Sequence, residues 1–319
     1  MRFNVGMGLG LVLLALLAPR VFTPYHLTFL LQIYMMIGLA QAWNLISGLT
    51  GYVSFGHAVF FGIGAYSGAL LLLIGLPWWL CTASAALFAA LLALPLGMLT
   101  LRLRGPYFAI AMLGLNEVGR ITATLWVSLT RGGDGIALAP ALLPRLLSMY
   151  HAMLFLAVVA TGVIAAVLGS RCGLDLRAIR EDEGAAEMLG VNTRRNKVVA
   201  FVASAVIPGA VGAVYAMYTS FIDPLSVFPA ALNIEMIVIV LLGGRGTVWG
   251  PVLGAALVMS VREFTWAQFP SLHLALLGAL LIVVVLYLPE GLLMLTRQRR
   301  RIRPDQYTQK PVRTLDDTF

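Results

Sequence analysis

Charge is what this sequence has least of. Asp, Glu, Lys and Arg make up only 11% of its 319 residues, against 60% hydrophobic ones, and its mean hydropathy is +0.90. A soluble chain of this length would expose too much apolar surface, so the composition excludes an ordinary soluble domain. Lysine occurs twice, at Lys197 and Lys310, and neither follows a glycine-rich turn. A P-loop is therefore missing, and with it any ATP hydrolysis through that motif. The cysteines are two, Cys81 in an apolar run and Cys172 in a charged passage, without metal-ligand spacing or an expected disulfide. The four histidines, His26, His57, His151 and His273, are scattered singly near expected helix ends and imply no metal site. H-E-x-x-H, paired C-x-x-C and G-x-S-x-G patterns are lacking, so no catalytic or cofactor-binding residues are expected.

Long apolar runs fill the space these absences leave. They predict an all-α, polytopic membrane protein with about ten helical segments, within a range of eight to ten. The first, Phe3 to Leu17, is short and reads either as a retained helix or as a cleaved signal peptide. The next are Tyr25 to Ile46, a span ending near Ile74, one reaching Leu101, and one from Gly105-Pro106 to about Trp126. They are followed by Tyr150 to Leu168, Val198 to about Tyr218, a short piece from Leu232 to Leu242, Thr247 to about Val261, and Leu272 to Leu288. The short eighth piece reads as a span or as a re-entrant segment. Residues 1–296 form the membrane unit, and 297–319 a polar tail expected to be disordered.

The net charge of +8 does not point to nucleic acid, because the basic residues sit at the ends of apolar runs and in the tail. That distribution is an orientation signal. With the tail cytoplasmic, alternation places the N-terminus, the Arg102/Arg104 turn, the Arg171 to Lys197 passage and the Gly244-Arg245-Gly246 break inside. The opposite loops, around Pro77, Arg131 to Pro140, Ile222 to Pro229 and Phe269, hold few basic residues.

The passage from Arg171 to Lys197 is the one long charge-dense stretch between spans, with eleven charged side chains. It must sit in water. Leu176, Ile179, Ala186 and Leu189 recur at roughly helical spacing, which predicts a short helix with an apolar stripe and a charged opposite face. Gly190 suits a C-terminal position with positive φ, and Asn192 or Thr193 can cap the helix that follows. Such an element either transmits force from a soluble partner or is simply a solvated loop.

Polar groups inside the spans are the remaining handle, since each is costly in hydrocarbon. Asn44, Asn116, Glu117, Asn233 and Glu235 are candidates for lining a pathway. The amides can instead tie neighbouring helices, and Glu117 can be neutralised by Arg120, three residues on. Successive spans carry no Asp, Glu and His relay, which argues against proton-driven transport. Glycines cluster at Gly51 to Gly68 and at Gly243 to Gly254, where they permit close packing or broken helices.

Several of these stretches together carry a resemblance. AIREDEGAAEMLGVNTRRNKVVAF, FIDPLS, LLGGRGTVWGPVLGAAL, NLISGLTGYVSFGHAVFFGIGAY and LRLRGPYFAIAMLGLNEVGR resemble, in matching chain order from about Trp43 to Gly291, the LivM-like permease subunits of branched-chain amino acid ABC importers. Gly184 departs from the larger aliphatic residue usual there. The resemblance implies a permease fold in the inner membrane, surrounded by lipid, with both termini cytoplasmic and no cofactor. It implies four kinds of chain working together: this one, a second LivH-like permease, two cytoplasmic ATP-binding subunits and a periplasmic substrate-binding protein. It also makes Arg177 to Gly190 the segment that couples to the ATPase, through Arg177, Arg180, Glu181, Asp182, Glu183, Glu187 and Gly190. Charge reversal at Glu183 is then expected to uncouple transport and leave assembly intact. The implied solute is leucine, isoleucine or valine, with urea or short amides, or a stand-alone channel, as alternatives.

Overall fold

The computed structural model describes residues 2–268 and residue 278. The expected last span, Leu272 to Leu288, and the polar tail lie outside the described residues. The chain begins with α1 (Arg2–Leu17), α2 (Pro24–Trp43), α3 (His57–Leu73), α4 (Trp78–Thr100) and α5 (Pro106–Leu125). A one-turn α6 (Val127–Thr130) leads through an irregular loop to α7 (Leu146–Leu168). Two short helices follow, α8 (Arg171–Glu181) and α9 (Glu183–Met188), and then the longest, α10 (Thr193–Thr219). A one-turn α11 (Pro224–Val227), α12 (Ala230–Gly243) and α13 (Gly250–Gln268) complete the described fold. Among the described residues, five stretches are long and apolar enough to cross a membrane: Pro24–Gly48, Trp78–Thr100, Leu146–Leu168, Thr193–Thr219 and Pro224–Gly243.

Helix α10 is the axis of the bundle, packed against α2, α3, α4 and α7. Its packing reverses the pattern of a soluble helix. On α4 the residues Cys81, Ala85, Ala89, Ala93 and Gly97 recur every fourth position and are buried, whereas Leu87, Leu91 and Leu99 on the other face are about 60% exposed (60%, 57% and 63%). Hydrocarbon is as apolar as leucine, so the large side chains gain nothing by turning inward. Small residues are kept for the interface because they let backbones approach and dispersion contacts accumulate. One close approach lies between α3 and α10, where a Cβ on Gly64 would sit 2.0 Å from the Gly209 carbonyl oxygen.

These approaches also fix direction. Gly64 meets Gly209 and Gly68 meets Ala213, so α3 and α10 run parallel. Gly97 meets Phe201 while Gly209 meets Ala89, so α4 runs antiparallel to α10. Gly243 meets Gly250 and Gly254 meets Ile239, which makes α12 and α13 an antiparallel hairpin. All three relations agree with strict alternation of spans. With 14 residues, α12 is about 21 Å long, less than the ~30 Å of a hydrocarbon core. At the end opposite α8 and α9, a two-residue antiparallel ladder pairs Ile136 with Ile222 and Ala137 with Phe221, pinning the α6–α7 loop to the chain after α10.

The candidate coupling and pathway site

The charged passage folds as two helices rather than one. Ser170 caps α8, its side chain accepting the Gly173 N–H. Asp182 breaks the helix with extended backbone (φ −158°) and caps α9, accepting the Ala185 N–H at 2.9 Å. This is the local competition expected of Asp, whose carboxylate satisfies free N–H groups at a helix start. Gly190 takes the positive φ expected of it (+85°). Asn192, rather than Thr193, caps α10 by accepting the Arg195 N–H at 3.0 Å.

Leu176, Ile179 and Ala186 are buried against the bundle, as their spacing predicts. Leu189 is not: it is 82% exposed and its neighbour Met188 85%. The break at Asp182 resets the helical phase, so a stripe extrapolated from α8 points the wrong way by the end of α9. The outer surface of the unit therefore carries Arg177, Glu181, Asp182 and Glu187 together with an apolar tip.

Two of the expected contact residues turn inward instead. Glu183 accepts from Lys197 Nζ at 2.6 Å and from the Tyr52 hydroxyl at 2.5 Å. The side chains of Lys197 and Glu183 are only 4% and 14% exposed. Lys197 also donates to the Tyr52 hydroxyl at 3.1 Å and to the Leu101 carbonyl at 3.4 Å, and lies 4.7 Å above the Tyr52 ring. Burial pushes the Glu183 carboxyl up, but the hydrogen bonds from Lys197 and Tyr52 and the Lys197 charge outweigh it and hold the group below its ordinary range. Burial, and then the Glu183 hydrogen bond, push the Tyr52 phenol up. A lysine at position 183 would face Lys197 inside this cluster, so charge reversal there attacks folding and cannot isolate coupling. Arg180 donates from Nη1 to the Gly48 carbonyl at 3.1 Å, and Glu187 accepts from the Thr193 hydroxyl at 2.6 Å.

The span amides serve as ties between segments. Helix α2 ends in a π-turn, Asn44–Gly48. There the fully buried Asn44 accepts the Gly246 N–H at 2.8 Å and donates to the Thr247 carbonyl at 3.0 Å. Gln41, one turn earlier, donates to the Val248 carbonyl at 2.7 Å. Those partners belong to the break between α12 and α13, whose backbone would otherwise lack partners away from water. Asn233 on α12 accepts the Ala58 N–H at the start of α3 at 2.9 Å, and Asn116 on α5 donates to the Phe228 carbonyl at 3.1 Å. Asn116 Oδ1, Asn233 Nδ2 and Gln41 Oε1 are buried without a partner among the described residues.

The charged candidates behave differently. Arg120 forms an ion pair with Glu117 on α5, yet both remain open, at 32% and 50% exposure. Arg262 on α13 donates to Glu235 on α12 at 2.9 Å, bridging that hairpin. Glu117 and Glu235 thus keep part of their surface free, whereas Asn44, Asn116 and Asn233 are enclosed.

The clustering of Gly51 to Gly68 and Gly243 to Gly254 is explained only in part by packing, and Gly48 joins the first cluster. Gly48 and Gly246 are in backbone contact: a Cβ on Gly48 would lie 3.0 Å from the Gly246 nitrogen. The site residues that sequence reading missed are Tyr52 and Lys197. A lone lysine at the mouth of an apolar span was the available signal for the second of these.

Apolar helices joined through small residues, two of them interrupted at a shared polar tie, define a multi-pass membrane protein of the permease class. Residues 25–285 match the family described as branched-chain amino acid transport system / permease component, and the chain belongs to that family. It is 32% identical to the high-affinity branched-chain amino acid transport system permease protein LivM of Escherichia coli K12, over 92% of this chain and 77% of the relative. LivM of Salmonella typhimurium is 31% identical over 93% of this chain and 77% of the relative. LivH of Salmonella typhimurium is 27% identical over 80% of this chain and 90% of the relative. No solved structure matches.

Proposed function

We propose that this chain is one of two permease subunits of an ATP-driven importer of branched-chain amino acids in the inner membrane, with both termini and α8–α9 on the cytoplasmic side. The relatives named LivM and LivH are permease proteins of high-affinity branched-chain amino acid transport systems, which supports a paired arrangement. The observation that carries the reading is the α8–α9 unit. It is fixed to α10 by the Lys197 to Glu183 pair, and presents Met188 and Leu189 outward amid Arg177, Glu181, Asp182 and Glu187. An exposed apolar tip with a charged rim suits a soluble partner, the tip filling a pocket and the rim setting register. ATP-binding subunits are that partner in this reading. Gly190 ends the unit with its positive φ.

The pathway runs along the face of α5 that carries Glu117 and Arg120, between this chain and the second permease. A carboxylate left half exposed on a span is costly against lipid, so this face is turned to protein or water. Glu235 on α12 is the other partly open carboxylate, while Asn44 at the end of α2, Asn116 on α5 and Asn233 on α12 are enclosed and hold the neighbouring segments in place. A periplasmic binding protein delivers the solute at the opposite end of the bundle.

The test is co-purification of this chain with the second permease and the ATP-binding subunits, repeated with Glu181→Lys and with Met188→Ser/Leu189→Ser. The tip variant should lose the ATP-binding subunits, and E181K should keep them while losing uptake. A chain that binds neither ATP-binding subunits nor a second permease would refute the reading.

A further inference from the structure

Between α2 and α3 the chain is irregular from Asn44 to Gly56, and the α8–α9 unit grips this stretch at two points. Arg180 of α8 holds the Gly48 carbonyl at 3.1 Å, and Glu183 of α9 holds the Tyr52 hydroxyl at 2.5 Å. Arg180 was expected to face a partner. Its guanidinium instead runs inward between two glycines that have the room and the backbone for it. A Cβ on Gly51 (φ +79°) would stand 3.3 Å from Arg180 Cγ, and one on Gly246 (φ +70°) 3.4 Å from Nη1. Any side chain at either position would be strained and would crowd the guanidinium.

The same spot is where the second interruption arrives. Gly246 belongs to the break between α12 and α13, and Asn44 clamps it by both its backbone N–H and the neighbouring Thr247 carbonyl. Three segments from distant parts of the sequence therefore meet within one hydrogen-bond network: α8 through Arg180, the end of α2 through Gly48 and Asn44, and the α12–α13 break through Gly246 and Thr247. Among the described residues Arg180 forms no ion pair, and its hydrogen bond goes to that carbonyl. Burial, followed by the nearby Arg245 charge, lowers its proton affinity, as befits a cation held inside the fold rather than in solvent.

We propose that Arg180 is a positioning residue that carries movement of α8–α9 into both interrupted helices, through the Gly48 carbonyl and the Asn44 clamp. The inference rests on the reading of α8–α9 as the element that ATP-binding subunits move. When the unit shifts, Gly48 either follows Arg180 or loses a charge-assisted hydrogen bond, and Gly48 cannot follow without drawing Gly246 along through Asn44. The interruptions make this possible, because a π-turn and a glycine break can change backbone angles where an intact helix would have to move whole. An uninterrupted run of contacts is only a route; what makes it a coupling element is an energetic dependence of one end on the other.

The experiment uses the complete transporter in proteoliposomes with its binding protein, comparing wild type, Arg180→Gln, Asn44→Ala and the double variant. Readouts are assembly, ATP hydrolysis stimulated by the binding protein, and solute imported per ATP. R180Q is expected to assemble and hydrolyse ATP normally, while import per ATP falls about tenfold. N44A should fall similarly, and the double variant should be no worse than the weaker single, because both cut one link. Normal import per ATP in R180Q would overturn the proposal, as would losses that multiply in the double variant. Should R180Q fail to assemble, N44A reads the same link from its far end, and normal import there overturns it. A wild-type complex without ATP-driven import would instead reject the importer reading, and this link with it.

Discussion

Replacing Glu183 by Gln removes the carboxylate that neutralises the Lys197 ammonium and leaves it with neutral acceptors, among them the Tyr52 hydroxyl at 3.1 Å and the Leu101 carbonyl at 3.4 Å, in a site where its side chain is 4% exposed. Removing one member of a buried pair costs about 3–5 kcal/mol, chiefly because a charge is left without compensation. The remaining 14% exposure of Glu183 places this case near the lower end, about 3 kcal/mol, or roughly a hundredfold in the unfolding equilibrium. Lys197→Met should cost a similar amount by stranding the carboxylate. The double variant E183Q/K197M strands no charge, so it should cost less than either single change and far less than their sum of about 6 kcal/mol. Reversible unfolding in mixed detergent micelles, followed by helical circular dichroism, measures all three. Additivity within about 0.5 kcal/mol would refute the claim that the two groups act as a pair. The pH dependence has a definite sign. Glu183 titrates below its ordinary value of 4.5 in the fold, so its contribution is complete above that value and is lost as pH falls through the depressed one. E183Q should lack this acid-side loss.

Three further outcomes follow from the packing. Gly64→Ala should destabilise by about 3 kcal/mol, since its Cβ would meet a backbone oxygen at 2.0 Å that cannot move aside, whereas Gly114→Ala, on open space, should be tolerated; melting of the purified proteins compares them. Gly190→Ala should cost about 1–2 kcal/mol through its φ of +85° alone, because nothing lies within 4 Å of the added methyl, and the same unfolding assay reads it. Arg120→Gln should lower the membrane-inserted yield by leaving Glu117 unneutralised on α5, and E117Q/R120Q should recover it; equal yields from both would contradict the pairing.

Most of the span pattern was legible in the sequence because lipid solvation makes length and apolarity nearly sufficient. The boundaries expected for α1 to α5 fall within a few residues of those observed, and α7 simply begins earlier, at Leu146. The inward small-residue stripe of α4 was not read, because alanines among leucines give no contrast on a hydropathy scale. The α8–α9 unit was legible as an exposed helix but not as two. A single Asp at position 182 both ends one helix and caps the next, and the change of phase sent Leu189 outward. Arg180 and Glu183 looked like neighbours of Glu181 on one charged surface. Their inward turn depends on Gly48 and Tyr52, more than a hundred residues away and so without local trace, and on Lys197, 14 residues on from Glu183. The same is true of Asn44, whose partners lie some two hundred residues on.

The most direct test of the account is solute uptake into proteoliposomes holding this chain, the second permease and the ATP-binding subunits, with the binding protein outside and ATP inside. The account predicts leucine uptake that requires both ATP and the binding protein. Leucine flux that continues without ATP would contradict it and make the chain a channel.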